Sequence, residues 1–321
     1  MIRRVNLSLI RLLMTNAIEL RRVRKTFGKN VAVNDVDLTV PQGSIYGFIG
    51  PNGSGKTTTL RMILRIFQPD SGEVVVLGRP QGDTADDRLG YLPEERGLYK
   101  RMKVRELLTY YAQLKGFKNC KPEIDMWLER LGATDWVNKK IDALSKGMAQ
   151  KIQFISAVVA KPELVILDEP FSGLDPVNME SLREAILSLR EQGTTIIFST
   201  HDMDMAEQMC DSVFMIFRGN KVLDGTMNEI RANYASDRVR VAFGQQREWP
   251  EVSGVEQLQA KGRYFDAQLV DPSKSQDLLQ RLVQTGDLQH FEIVKPSLHD
   301  IFVSIAKPNE NQPEDNEELV A

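Results

Sequence analysis

Eight consecutive residues, Gly50-Pro51-Asn52-Gly53-Ser54-Gly55-Lys56-Thr57, follow the spacing GxxxxGK[ST]. Glycines at these places let successive backbone N–H groups turn inward around a phosphate, and a following helix offers its positive N-terminal end. Lys56 then neutralises charge on the β- and γ-phosphates, the Thr57 hydroxyl is a ligand for Mg²⁺, and Thr58 extends the cradle. The chemistry this spacing points to is the binding of a nucleoside triphosphate with Mg²⁺. Further along, the apolar run Leu164-Val165-Ile166-Leu167 ends in Asp168-Glu169. Two carboxylates after a buried strand are often ordinary surface loop. Beside a bound triphosphate they gain a use: Asp168 holds the metal's water shell and Glu169 polarises the attacking water. His201 occupies the same place after the run 194–200, where it faces the γ-phosphate as an orienting hydrogen-bond partner.

These residues work only if strands and helices present them together. β-rich stretches at 18–23, 33–40 and 44–49 come first, and the third runs straight into the glycine loop. Helical apolar spacing over 57–67 follows, so the loop lies between a strand and a helix, as a phosphate site requires. From about 95 to 160 the pattern turns helical, at 104–115, 123–131 and 148–159, and reads as an inserted subdomain. Buried-strand character returns at 164–167 and 194–198 around a helix at 178–191, which makes a βαβ unit. In an open α/β sheet, ligands bind at the carboxyl ends of the strands, and that is where all three motifs fall.

Strand candidates at 239–243, 265–270 and 290–294, with helices at 276–284 and 298–305, form a small α+β domain over 236–306. The main domain is then 17–235. The last stretch, 307–321, is acidic and poor in apolar residues, so it is expected to be a solvated tail. The opening 1–16 is short, basic and apolar. It lacks the clean apolar core of a signal peptide and reads as an early translation start before Met14, or as an amphipathic surface anchor.

Composition excludes several classes. With 41 Lys and Arg against 44 Asp and Glu, the net charge of −3 gives no reason to expect nucleic acid as a partner. No apolar run is long enough to cross a bilayer as a helix, so a transmembrane partner must be another chain. Cys120 and Cys210 lack the spacing of a metal or redox pair and are expected to be reduced structural thiols.

Four further motifs narrow the resemblance from phosphate-loop ATPases at large to the ABC (ATP-binding cassette) family. Leu144-Ser145-Lys146-Gly147-Met148-Ala149-Gln150 resembles the family signature, with Ser145 a natural helix cap. Ser172-Gly173-Leu174-Asp175 resembles its D-loop, and His201 its switch histidine. Phe27 matches the aromatic residue on which adenine stacks, and Tyr91-Leu92-Pro93-Glu94 sits at its Q-loop. Two departures stand out. Glu94 replaces glutamine, keeping an oxygen ligand for Mg²⁺ beside Thr57 and Asp168 but adding charge. The signature reads Ser-Lys-Gly-Met, so Lys146 and Met148 alter the surface while Ser145 and Gly147 are kept.

The resemblance implies an α/β fold: a mixed-sheet core with an antiparallel β subdomain and a helical insertion, plus the small C-terminal α+β domain. It also implies a head-to-tail dimer with a second ABC ATPase subunit, in which Ser145, Lys146, Gly147 and Met148 of one subunit close over ATP held by the other. A separate transmembrane permease would hold the pair at the cytoplasmic face of the membrane. Residues 91–99, the signature variant and the stretch 296–302 resemble the sodium- and drug-export branch, which implies an exporter. The other reading is a soluble ABC-type regulatory or binding module.

Overall fold

The structure is a computed structural model that describes residues 16–80, 86–95, 97–234, 238–244, 248–250, 252–285 and 287–306. The expected N-terminal extension, except Asn16, and the acidic tail lie outside the described residues. The chain divides into two units after Thr226.

In the first unit the core is a six-stranded sheet. Its members are β3 (Ile45–Ile49), β6 (Leu89–Leu92), β7 (Leu164–Asp168), β8 (Thr195–Thr200), β9 (Ser212–Phe217) and β10 (Asn220–Thr226). The order is β10-β9-β3-β8-β7-β6, parallel throughout except for β10 at the edge. Every residue of β3, β7 and β8 is buried, as expected of parallel strands covered on both faces. Alternate side chains serve opposite sides: Leu164 and Ile166 join one apolar cluster, Val165 and Leu167 the other.

The first cluster packs the core against a four-stranded antiparallel sheet in the order β2-β1-β4-β5. These strands are β1 (Asn16–Phe27), β2 (Asn30–Pro41), β4 (Ser71–Val76) and β5 (Arg79–Pro80). Leu60 and Ile63 of α1 (Lys56–Ile63) share that cluster. The second cluster holds the helical insertion, α2 (Val104–Leu114), α3 (Lys121–Arg130) and α4 (Lys146–Val158), together with α5 (Pro176–Glu191). Trp127 of α3 meets Phe154 of α4 edge to face at 5.8 Å, joining two helices of the insertion. A further helix of this unit is α6 (Met203–Met209).

The apolar spacing suggests that α1 runs to Phe67, yet the helix stops at Ile63. Arg65 takes a left-handed conformation (φ 62°), its N–H bonds to Met62 O at 3.0 Å, and the Ile66 N–H reaches Arg61 O at 2.8 Å. That pair of bonds is the usual termination in which glycine is favoured, and here arginine fills the place. The sequence carried no sign of it.

The second unit contains α7 (Met227–Ala232) and an antiparallel sheet in the order β12-β13-β11-β14. Its strands are β11 (Arg238–Phe243), β12 (Val255–Lys261), β13 (Tyr264–Leu269) and β14 (Leu288–Val294). Val239, Val241, Phe265, Ala267 and Leu269 face Leu278 and Leu282 of α8 (Ser275–Thr285). A last helix, α9 (Leu298–Ala306), follows. Arg240 and Asp266, one step out of phase with the apolar face, form a two-point ion pair at 2.7 and 3.0 Å.

Candidate nucleotide site

Strand register brings the chemistry together. Ile49 pairs with Thr200, Asp168 with Ser199, and Leu92 with Leu167, so β3, β8, β7 and β6 end side by side. The residues just beyond those ends are Gly50, His201, Glu169 and, two further, Glu94. Four segments separated by up to 151 positions (50 against 201) thus meet at one edge of the sheet.

The loop after β3 has no room for side chains at its fixed points. A Cβ on Gly50 would lie 2.3 Å from Ile216 O, and one on Gly55 the same distance from Ala32 O. Gly53 faces open space but has a φ of 76°, which favours glycine for a different reason. The Lys56 ammonium folds back over the loop, donating to Gly50 O at 2.5 Å and Pro51 O at 3.1 Å. Burial lowers its pKa, opposed by the carboxylates of Glu169, Asp168 and Glu94. Ser54 Oγ is buried inside the loop with no hydrogen-bond partner among the described residues. A lone buried hydroxyl within a glycine cradle beside a buried ammonium fits a phosphate group that supplies the missing acceptor. Asn52 is exposed at the loop's crest, while Thr57 and Thr58 are half-buried in the first turn of α1.

Asp168 is buried, and burial raises its pKa; Glu94 and Glu169 push the same way, while the Ser199 hydroxyl and Lys56 oppose. Tyr91 is pushed up to about 12 by burial first and by Asp168 next. A cation would relieve this local excess of negative charge. Thr57, Asp168 and Glu94 offer one hydroxyl and two carboxylates, too few for an all-protein cage. Such a set suits Mg²⁺, which keeps waters and takes phosphate oxygens.

Glu169 has a φ of 48°, uncommon for a residue with a side chain. Its neighbours account for that. Its N–H bonds to Ser199 O at 3.0 Å, and its Oε1 accepts the His201 backbone N–H at 2.9 Å and His201 Nδ1–H at 2.6 Å. The β7 end is therefore latched to the β8 end through Glu169 and His201, the two residues that the sequence predicts to be catalytic.

Two other groupings stand apart from this edge. Phe27 closes β1, is 45% exposed, and meets Phe67 edge-on at 5.5 Å with Lys25 Nζ 5.7 Å from its ring. Its open face suits a flat heteroaromatic ring. At the other grouping, Ser145 caps α4 by accepting the Met148 N–H at 3.3 Å, and Ser145 and Lys146 are exposed. A Cβ on Gly147 would come within 3.5 Å of Leu174 Cδ2 and 3.7 Å of Asn178 Nδ2, so signature and D-loop share one surface. Asp175 caps α5 by accepting from Val177 N and Asn178 N at 3.1 and 3.0 Å, with Ser172 and Gly173 exposed before it.

Two connections were not anticipated from sequence. Gln150 of α4 donates to Pro170 O at 2.9 Å, and Gln153 to Pro93 O at 3.1 Å and Glu95 O at 3.3 Å. The signature helix is thereby tied both to the segment after Glu169 and to the Glu94 segment. The available signal was two glutamines among apolar neighbours in a helix that has to be buried. Cys120 is buried, and burial raises the Cys210 thiol, in keeping with structural roles.

A parallel sheet with a phosphate loop, paired carboxylates and a histidine at one edge defines a phosphate-loop ATPase. Comparison with known proteins narrows the class. Residues 33–172 match the family described as ABC transporter, and residues 225–306 match the ATP-binding protein DrrA1-3-like, C-terminal domain. The chain is 43% identical over 284 residues to the ABC transporter ATP-binding protein YhaQ of Bacillus subtilis (strain 168), covering 88% of this chain and 95% of the relative. It is 35% identical over 222 residues to the Nod factor export ATP-binding protein I of Cupriavidus pinatubonensis, covering 68% of each. A solved structure of the ATP-binding subunit of an ABC transporter superposes with a TM-score of 0.65 at 29% identity, over 68% of this chain and 93% of that one. The chain belongs to the ABC transporter ATP-binding proteins, and it is an ATPase of that family.

Proposed function

We propose that the chain hydrolyses Mg-ATP at the edge formed by β3, β6, β7 and β8, and that it powers a separate transmembrane permease. The observation that carries the catalytic part is the Glu169–His201 latch one residue beyond β7 and β8, of which β8 adjoins the strand that enters the phosphate loop. Gly50 to Thr58 bind the triphosphate through backbone N–H groups and Lys56, and Phe27 stacks the adenine. Thr57, Asp168 and Glu94 would hold Mg²⁺, which would supply positive charge to neutralise the triphosphate. Glu169 accepts a hydrogen bond from the attacking water, and His201 fixes the carboxylate and faces the γ-phosphate.

The Ser145–Met148 turn, exposed at Ser145 and Lys146, and the D-loop beside it support a second subunit's ATP as their target. Capped by Ser145, the N-terminus of α4 offers partial positive charge to a γ-phosphate. Two such sites in a head-to-tail pair close only with ATP present, and hydrolysis loosens them. Gln150 and Gln153 carry that movement from the signature helix to the Glu169 and Glu94 segments. Among the described residues no helix is long and apolar enough to cross a membrane, which agrees with a permease on another chain. The named relative in Nod factor export supports export as the direction, with the chain at the cytoplasmic face.

The test is Glu169→Gln, which is expected to lower turnover by about 10²- to 10⁴-fold while ATP binding persists. Unchanged turnover would reject the catalytic assignment. For the permease, purification from native membranes should yield a polytopic chain in constant proportion; a purely soluble complex argues for a regulatory module instead.

A further inference from the structure

Thr200 has no assigned part in the latch, yet it makes the one described hydrogen bond to the second oxygen of the Glu169 carboxylate. It is the last residue of β8 and is buried. Its Oγ1 accepts the Asp202 N–H at 3.0 Å and stands 3.3 Å from Glu169 Oε2. A hydroxyl has one proton to give and lone pairs to receive, whereas an ionised carboxylate can only accept. With the backbone N–H of Asp202 occupying a lone pair, the hydroxyl proton is aimed at Glu169.

The two contacts from His201 both fall on Oε1. Rotation about the last bond of a glutamate is soft, so contacts on one oxygen leave the carboxylate plane poorly defined. A donor on the other oxygen defines it. We infer that Thr200 is a positioning residue for ATP hydrolysis: its hydroxyl, aimed by the Asp202 amide, fixes the plane of the Glu169 carboxylate that orients the attacking water. The inference rests on the reading of Glu169 as the catalytic carboxylate. Orientation of this kind acts on the chemical step and leaves nucleotide affinity alone. A competing role exists, because a threonine hydroxyl that accepts an N–H two residues on also steadies a turn, here the entry to α6. That role alone would move stability and leave turnover per folded molecule intact.

The purified full-length chain with Thr200→Val, which keeps shape and loses the hydroxyl, is compared with Thr200→Ser and with Glu169→Gln. Turnover at saturating ATP is expected to fall about tenfold in Thr200→Val, the scale of one hydrogen bond to a charged group. KM and the affinity for a non-hydrolysable ATP analogue should stay within about twofold, and Thr200→Ser should restore turnover. Wild-type turnover in Thr200→Val, an equal loss in Thr200→Ser, or a matching loss of analogue affinity overturns the inference. If Glu169→Gln silences the enzyme while Thr200→Val does not slow it, this inference fails alone. If Glu169→Gln keeps full turnover, the catalytic reading and this inference fail together. Should Thr200→Val not fold, Thr200→Cys replaces it with a poor donor, and wild-type turnover there overturns the proposal.

Discussion

His201 Nδ1 lies 2.6 Å from Glu169 Oε1, and the backbone N–H of His201 reaches the same oxygen at 2.9 Å. The ring is largely exposed while the carboxylate is nearly buried, so the pair runs from the protein interior outward to the surface. Its members are 32 residues apart in the chain and adjacent only because β7 and β8 pair.

Replacing the histidine removes the ring contact and leaves the backbone one. His201→Ala should therefore lower turnover about 10²-fold with ATP binding retained. Groups that act as a unit are not additive, so the double variant with Glu169→Gln should be no slower than the slower single one. Steady-state ATPase assays decide both points, and multiplicative losses would mean the two residues work separately.

Ser54 offers a change of sign. Its buried hydroxyl lacks a partner among the described residues, so Ser54→Ala should raise stability without nucleotide by about 1 kcal/mol. With ATP present, the same variant should gain less stabilisation than the wild type, since a phosphate contact is gone. Thermal unfolding with and without ATP tests this; a drop in both conditions would show that Ser54 serves the fold alone.

The three loop glycines should rank by what a methyl group would strike. Gly50→Ala and Gly55→Ala place carbon 2.3 Å from a carbonyl oxygen and should cost more than about 2 kcal/mol as well as nucleotide binding. Gly53→Ala meets open space and pays only for its φ, about 1 to 2 kcal/mol. Denaturant midpoints give the ranking, and equal losses would contradict it.

The second unit carries an acid-sensitive contact. Hydrogen bonding to the Arg240 guanidinium, with Lys261 adding, brings the Asp266 pKa down to about 2. A folded-state value below the unfolded one, near 3.9, means stability is fully present above about pH 4 and is lost as pH falls toward 2. Hydrogen exchange in β11 and β13 should quicken across that window. In Arg240→Met the Asp266 contribution should shrink, and exchange should already be faster at neutral pH. Unchanged exchange in the variant would remove Asp266 as the cause.

Much of this was legible in the chain itself. Gly50 to Thr57 announce a phosphate site because glycines at 50, 53 and 55 permit the positive φ and the close backbone approach that the loop takes, and the run into Asp168-Glu169 announces a strand end because an unbroken apolar stretch gives way to paired carboxylates. The five residues of β7 are apolar but for the last, which is how a parallel strand buried on both faces has to read. Other elements left little trace. β12 is exposed at all but its first residue, so its sequence shows no alternation that would mark a strand. β9 and β10 left as little trace, although β9 and the turn that follows it supply the backing of the loop: the Gly219 N–H donates to Ser54 O at 2.9 Å, and the Ile216 carbonyl forbids a side chain at Gly50.

Sequence alone determined which residues are able to do chemistry here, because glycine, lysine, carboxylate and imidazole have properties that travel with the residue. The order of strands determined which of them meet. Nothing local to Thr200 shows that its hydroxyl stands 3.3 Å from Glu169, and nothing local to Gln153 shows that it holds Pro93 O. Both contacts exist because hydrogen bonding between β7 and β8, and packing of α4 beside β6, bring distant segments within reach of a side chain. Such proximity is a property of pairing and packing, which no short window of sequence contains.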